Sequence, residues 1–208
     1  MIKSDELYSR YYKTTDPMEI IKRKRKISYN DLLNKMIMEK EIIASLICNT
    51  TDAKKIVEFS NACYIDDERI IPTIGESLYN KGKKVKILSP NLNTFHNKGF
   101  STTNISTNNT FGKYNIITPD KVKGVDLFIT EQVSKEHMKH FIDIAAFNKT
   151  CMFADSGSME ELVGKYDEIR KLFCDLSKSN NLEYSANIIS EGDIAGAVYT
   201  IKRKQGIN

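Results

Sequence analysis

The sequence has no long uninterrupted run of apolar residues and no closely spaced pair of cysteines. No stretch reaches the roughly 18 consecutive apolar residues of a membrane-spanning helix, so no membrane span is predicted. The first 30 residues contain no apolar signal-peptide core, which predicts a chain that is not secreted. The four cysteines lie far apart without a C-x-x-C motif, so we expect reduced thiols and a cytoplasmic location.

Three motifs with well-understood chemistry are also absent. No G-x-x-x-x-G-K-[ST] occurs, which excludes a Walker-type nucleoside triphosphatase. No G-x-G-x-x-G follows the first strand predicted below, where an acidic Asp-Asp-Glu stands instead, and this disfavours a standard NAD domain. The G-x-S-x-G nucleophile elbow is missing too. The sequence therefore identifies neither a cofactor nor a catalytic residue.

The composition is that of a folded domain. The chain has 208 residues, 40% of them hydrophobic and 28% charged, with a net charge of +4. Adequate hydrophobicity and a small net charge exclude wholesale disorder. The isoelectric point near 8.7 is only mildly basic and does not require a nucleic-acid partner.

One short segment near the amino terminus is strongly basic. It comprises Lys22, Arg23, Lys24, Arg25 and Lys26. Such a run is typical of a nucleic-acid contact or of a solvated helix face, and both interpretations stay open here.

The hydrophobic pattern divides the chain into a basic helical extension, residues 1–61, and an α/β domain, residues 62–208. In the extension, Ser28 is a predicted N-cap for a helix that ends near Asn49, and Thr51-Asp52 suggests a second helix start. In the domain, predicted strands cover residues 62–65, 84–88, 114–117, 125–129 and 151–154. Helical spacing spans residues 70–78, and further helices start after Ser134 and Ser158.

A polar segment, residues 89–112, is expected to be a long loop, and residues 184–201 are expected to form a hairpin that turns at 191–193. Strands that alternate with helices predict an α/β fold. We expect a mostly parallel, Rossmann-like sheet with helices on both faces, an N-terminal helical extension and a C-terminal β-hairpin.

Polar side chains follow the predicted strands, and ligands of such sheets bind beyond the carboxyl ends of the strands. The candidate ligand-binding residues are Asp66, Asp67, Ser89, Asn91, Glu131, Asp155, Ser156, Gly157 and Ser158. The Ser-Gly-Ser turn directly precedes a helix, so its N–H groups could cradle a phosphate or carboxylate. In the alternative interpretation, Ser158 only caps that helix and Gly157 only permits the turn.

The histidines offer two further patterns. His137 and His140 have i, i+3 spacing on a predicted helix, and we expect them to face solvent rather than to bind a metal. His96-Asn97-Lys98 and His137-Met138-Lys139 both match the H-x-K start of the phospholipase D motif. The layout resembles degenerate phospholipase D-like sensor domains of microbial regulators. Thr103 and Ile144 stand where that family has aspartate, so the resemblance implies a domain without phosphodiesterase chemistry.

Three functional hypotheses follow from these observations. The first, which we favour, is a regulatory module that recognises a small anionic, phosphate-bearing or nucleotide-like ligand, with N-terminal helices for homodimerisation or nucleic-acid contact. The second is an enzyme that acts on a phosphorylated or nucleotide substrate through carboxylates at the strand ends. The third is a protein–protein interaction subunit without a small ligand.

Overall fold

The structure is a computed structural model, and it describes residues 4–63, 65, 70–89, 95–97, 100–104, 124–131, 133–147, 149–178 and 181–205. The helices are α1 (Ser4–Tyr11), α2 (Pro17–Lys26), α3 (Tyr29–Thr50), α4 (Ile74–Asn80), α5 (Lys135–Ala146) and α6 (Met159–Leu176). The strands are β1 (Lys55–Phe59), β2 (Lys84–Ser89), β3 (Phe95–Asn97), β4 (Phe100–Asn104), β5 (Leu127–Thr130), β6 (Thr150–Gly157), β7 (Leu182–Glu191) and β8 (Ile194–Arg203).

The described strands form one sheet in the order β3-β4-β2-β1-β5-β6-β8-β7. Strands β4, β2, β1, β5 and β6 are parallel to their neighbours within this central block. The edge strand β3 is antiparallel to β4, and β8 is antiparallel to both β6 and β7. The predicted α/β, mostly parallel, Rossmann-like sheet is confirmed.

Helices cover both faces of the sheet. On one face, α3 and α4 pack on alternate residues of the central strands, such as Ile56, Ile129 and Met152. On the other face, α5 and α6 pack on the intervening residues, such as Phe128 and Phe153. A separate small cluster joins α1 to the first half of α3 and to Ile65. The two-residue alternation of the strands therefore produces two cores with the sheet between them.

Side-chain caps fix where three helices begin. Ser28, Ser134 and Ser158 each accept a hydrogen bond from the backbone N–H three residues later, at the starts of α3, α5 and α6. The predicted hairpin is also present, with Gly192 in its turn at a φ of 60°. These predictions are confirmed because their signals are local ones.

The segment after α3 differs from the prediction. The helix expected from Thr51-Asp52 is wrong, because residues 55–59 form β1, the strand between β2 and β5. Four of its five residues are buried, so its apolar run carries no clean two-residue alternation. The strand expected at 62–65 is wrong as well, since Ala62, Cys63 and Ile65 lie in the connection from β1 to α4. The central strand β1 thus lies inside the segment predicted as an extension.

Two other segments also differ. The helical spacing at 70–78 begins too early, because α4 starts at Ile74 behind the N-cap Thr73. The expected loop 89–112 contains β3 and β4, whereas its other residues after Ser89 and the strand predicted at 114–117 lie outside the described residues. Within the described part of the chain, no helix has the length and apolar character needed to cross a membrane.

Candidate functional site

The carboxyl ends of the parallel strands meet at one edge of the sheet. From β1 the chain proceeds outward through β2 to β4, and then returns to the opposite side of β1 as β5. The chain therefore changes direction between the carboxyl ends of β1 and β5. In open α/β sheets this switch point opens a crevice in which small molecules bind. We refer to this region as the carboxyl edge.

The connection after β1 is fastened to the end of β2. The backbone N–H of Ser60 donates to the carbonyl of Leu88 at 2.9 Å, and the hydroxyl of Ser89 donates to the carbonyl of Ala62 at 2.7 Å. The connection begins Ser-Asn-Ala-Cys and contains no glycine in its described part. Its described part therefore lacks the glycines that let a backbone approach a pyrophosphate closely.

Glu58, one residue before the end of β1, is the most unusual side chain at this edge. It is fully buried, and its Oε2 accepts a hydrogen bond from the N–H of Gly75 at 2.6 Å. Its Oε1 is also buried and has no hydrogen-bond partner among the described residues. A Cβ on Gly75 would lie only 2.5 Å from Oε2, so this contact requires glycine. The pKa of Glu58 is raised to about 8, first by burial and then by the neighbouring charge of Glu131.

Lys40 and Glu131 form an ion pair at the carboxyl end of β5. Lys40 extends from the middle of α3 and is 8% exposed, and its Nζ contacts Oε1 of Glu131. Burial is the largest single effect and lowers the pKa of Lys40, but the combined attraction of Glu131 and the neighbouring carboxylates outweighs it, so the net pKa is raised. The lysine is therefore held as a cation by the carboxylate that follows β5.

Glu39, the neighbour of Lys40 on α3, links three elements. Its Oε1 accepts from the hydroxyl of Tyr11 at 2.6 Å, and its Oε2 accepts from the hydroxyl of Ser156 on β6 at 3.2 Å. Glu39 is itself buried. Burial first, and then this hydrogen bond to a carboxylate, raises the pKa of Tyr11. The described carboxyl edge thus holds Glu39, Glu58 and Glu131 against a single buried lysine.

The residues predicted to bind an anion at the start of α6 interact mainly with other groups of the protein. Asp155 pairs with Lys165 of α6. Ser158 and Glu161 form a reciprocal capping box, in which the Glu161 carboxylate accepts from the Ser158 N–H at 2.9 Å. A Cβ on Gly157 would lie 2.7 Å from that carboxylate. An acidic side chain therefore already occupies the start of α6, where an anionic ligand would bind.

The other predicted ligand-binding residues are spread more widely. Glu131, Ser156 and Ser89 lie at the carboxyl edge, whereas Asp66, Asp67 and Asn91 lie outside the described residues. Sequence reasoning missed Glu39, Lys40 and Glu58. The two α3 residues look like ordinary polar positions of an amphipathic helix. Glu58 had one usable signal, because it is a lone acid within the apolar run of β1.

The two histidines of α5 do not match their prediction. His140 is buried, with its ring centroid 6.2 Å from that of Phe59, so the expectation that it faces solvent is wrong. His137 is half-buried, and its Nδ1 lies 2.5 Å from the hydroxyl of Ser134. Burial lowers the pKa of His137 to about 4, which makes it neutral at physiological pH. His96, in the other H-x-K match, lies on the edge strand β3.

The basic run forms the second half of α2. Arg23 donates to Glu19 at 2.6 Å and lies over the ring of Tyr12, and Lys24 pairs with Asp5 of α1. Arg23 and Lys24 thus hold α2 against Tyr12 and α1. A nucleic-acid contact, a homodimer and a cytoplasmic location stay predictions.

No protein-family profile and no curated protein sequence matches the chain. Solved structures of similar fold do exist. The plantazolicin methyltransferase BpumL in complex with SAH has 10% identity and a TM-score of 0.48, with 97% of this chain and 95% of that chain covered. TomG, an O-methyltransferase from Streptomyces achromogenes in complex with SAM, has 8% identity and a TM-score of 0.47, with coverages of 98% and 91%. An O-methyltransferase from Bacillus cereus has 10% identity and a TM-score of 0.43, with coverages of 80% and 81%.

The hypothesis of a regulatory module for an anionic ligand is wrong. These similar structures are methyltransferases, which are enzymes, and they bind SAM or SAH. The physical reason lies in the side chains, because carboxylates predominate at the carboxyl edge and an acidic residue already caps α6.

Proposed function

We propose that this chain is an enzyme that binds S-adenosylmethionine at the carboxyl edge and transfers its methyl group to a second small molecule. The observation that carries the proposal is the buried Glu58 beside the Lys40–Glu131 pair, at the switch point between β1 and β5. This position is where α/β sheets bind nucleotide-like molecules.

The charge of the edge favours a ligand that brings positive charge. Glu39 and Glu131 face one buried lysine, Lys40, so the edge has an excess of acidic groups and a phosphate would meet repulsion. S-adenosylmethionine carries an ammonium group and a sulfonium centre and has no phosphate. The connection from Ser60 to Cys63 without glycine agrees with this choice, because a pyrophosphate needs close backbone approach.

The residues present fit such a cofactor. Oε1 of Glu58 is a buried acceptor without a partner among the described residues, and leaving such a group unpaired is costly. An ammonium or hydroxyl donor of the ligand would satisfy it, and Glu131 would offer a second carboxylate at the end of β5. The bound cofactor supplies an electrophilic methyl group. Glu58 and Glu131 would bind and orient the positively charged part of that molecule.

Lys40 has a supporting role in this proposal. Its ammonium pairs with Glu131 and so reduces the repulsion among the carboxylates of the edge in the absence of a ligand. Glu58 is largely protonated near neutral pH because its pKa is raised to about 8. A cation bound beside it would favour the ionised form and displace the proton.

The proposal is tested by isothermal titration calorimetry of the full chain with S-adenosylhomocysteine, ATP and NAD. We expect saturable binding of S-adenosylhomocysteine and none of the two phosphate-bearing ligands. Glu58→Gln, which keeps the shape and removes the charge, should weaken binding by about tenfold, the effect of one hydrogen bond to a charged group.

The matched control is Glu168→Gln, at an exposed position of α6, which should bind as the wild type does. Binding of ATP or NAD in preference to S-adenosylhomocysteine would refute the proposal. Equal affinities of wild type and Glu58→Gln would remove Glu58 from the site.

A further inference from the structure

The sheet ends in two very different edge strands. At one edge, β3 has only three residues, whereas β7 at the other edge has ten and pairs with β8 along its whole length. The helices that pack against β7 are α3, α5 and α6, which cover the faces of the sheet. Within the described part of the chain, no strand lies beyond β7, so its outer side is uncovered.

Alternate residues of β7 direct their backbone groups toward this outer side. The N–H of Lys204 donates to the carbonyl of Asn181 at 2.9 Å, directly before the start of β7. Bonded and non-bonded pairs alternate along an antiparallel ladder, so the odd-numbered residues of β7 bond to β8. The N–H and carbonyl groups of the even-numbered residues therefore point outward. These outward residues are Leu182, Tyr184, Ala186, Ile188 and Ser190.

The edge lacks the features that usually prevent a strand from pairing with another chain. Residues 182–191 contain no proline, lysine or arginine, and the register with β8 has no bulge. The acids of the strand, Glu183 and Glu191, lie near its two ends, and Glu183 pairs with Lys202 of β8 at 2.9 Å. The uncharged middle of β7 is therefore open to a second strand.

Exposed apolar side chains flank this edge on both faces of the sheet. On α6, the ring of Tyr166 lies 6.1 Å from that of Tyr184, and Val163 and Met159 precede Tyr166 by one and two turns on the same side of the helix. Met159 is 42% exposed and Val163 is 55% exposed. On the opposite face, Ile189 is 39% exposed. Such apolar surface beside an open strand is typical of a protein interface.

A second copy of this chain fits the edge because β7 is complementary to itself. In a two-fold antiparallel pairing centred on Ala186, every outward residue meets another outward residue, as the hydrogen bonds of a ladder require. Tyr184 then lies opposite Ile188 of the second copy, and aromatic and β-branched residues form favourable cross-strand pairs. In this register no acid of β7 lies opposite another acid.

We infer that the chain forms a two-fold dimer in which β7 pairs with β7 of a second copy, so that the two sheets join into one. The pairing satisfies the outward backbone groups of both strands. It also places the two α6 helices side by side on one face, which brings Met159 and Val163 of each copy toward the other. This interface is separate from the proposed cofactor site, because β8 and β6 lie between β7 and β5.

The register is tested with charges at Ser185 and Asn187, two exposed positions of β7. In the inferred dimer, Ser185 lies opposite Asn187 of the second copy. Ser185→Lys/Asn187→Lys therefore sets lysine against lysine on both sides of the two-fold axis, which should raise the dissociation constant of the dimer roughly tenfold. The matched control is Ser185→Lys/Asn187→Glu. It sets lysine against glutamate at the same positions and should dimerise as the wild type does.

Sedimentation velocity over a series of concentrations measures the dimer, and circular dichroism checks that both variants fold. The wild type should approach twice the chain mass of 23.8 kDa. A wild type that is still monomeric at about 0.1 mM would overturn the inference. Equal dimerisation of all three proteins would also overturn it, and so would loss of the dimer in both variants, since the charges would then not meet as this register requires.

Hydrogen exchange of single amides, followed by NMR, distinguishes this interface from any other. In the wild-type dimer the N–H groups of Tyr184, Ala186 and Ile188 should exchange slowly, because each bonds to the second copy. In Ser185→Lys/Asn187→Lys they should exchange faster, whereas the N–H of Ile189, which faces β8, should stay protected. Fast exchange of the Ala186 N–H in a wild-type dimer would refute pairing through β7.

Discussion

Replacing Glu58 by glutamine should change how the stability of this protein depends on pH. Glu58 is fully buried at the end of β1, and its pKa is raised to about 8 by burial and by Glu131. In the unfolded chain a glutamate has a pKa of about 4.3. Between these values the folded state therefore holds a proton that the unfolded state has released.

The sign follows from proton linkage. Because the folded chain binds more protons, the free energy of unfolding falls as pH rises through this window, by about 1.4 kcal/mol per pH unit. Over the three units from about pH 5 to about pH 8, this amounts to about 4 kcal/mol. Glutamine cannot release a proton, so Glu58→Gln should not lose stability in this way. The variant should therefore be more stable than wild type near about pH 8.

Urea unfolding followed by circular dichroism at several pH values gives the free energies directly. The useful quantity is the difference in the free energy of unfolding between Glu58→Gln and wild type. Other titrating groups, such as His137, are common to both proteins, so their contributions cancel. This difference should favour the variant increasingly from pH 5 to pH 8. The control Glu168→Gln should show a difference that is flat with pH. A flat difference for Glu58→Gln would mean that Glu58 ionises in the folded chain as it does in the unfolded one, which would contradict the prediction.

Three further predictions concern stability alone, measured as free energies of unfolding. Lys13→Gly should stabilise the chain by about 1 kcal/mol, because glycine adopts the left-handed conformation without strain; destabilisation would contradict this. Ser158→Ala should cost about 1 kcal/mol through loss of the capping box, with no effect on ligand affinity. Phe141→Ala should cost about 3–5 kcal/mol, because Phe141 is fully buried between α5 and the sheet. A cost below 1 kcal/mol would contradict that packing.

Much of the fold is predictable because its signals are local. The caps Ser28, Ser134 and Ser158 and the turn around Gly192 act within a few residues, and the structure confirms all of them. The central strand β1 was not predictable in this way. Its residues are buried from both sides by helices distant in sequence, and such a strand has no alternating pattern to distinguish it from a helix.

The candidate site was harder to predict for a related reason. The rule for the carboxyl ends of parallel strands gave Glu131 and Ser156, but Glu58 lay in a segment interpreted as a helix. Glu39 and Lys40 are buried through contacts with partners far along the chain, such as Ser156 and Glu131. No spacing within α3 shows that these two polar positions face the sheet.

A crystal structure of the chain with S-adenosylhomocysteine gives the sharpest test of the proposal that the carboxyl edge binds S-adenosylmethionine. We expect the ligand to lie between the carboxyl ends of β1 and β5, within hydrogen-bond distance of Glu58 or Glu131. A ligand bound at the opposite edge, in the open cleft lined by Cys48, Asp52 and Asp126, would contradict it. So would a structure obtained at saturating ligand with the carboxyl edge empty.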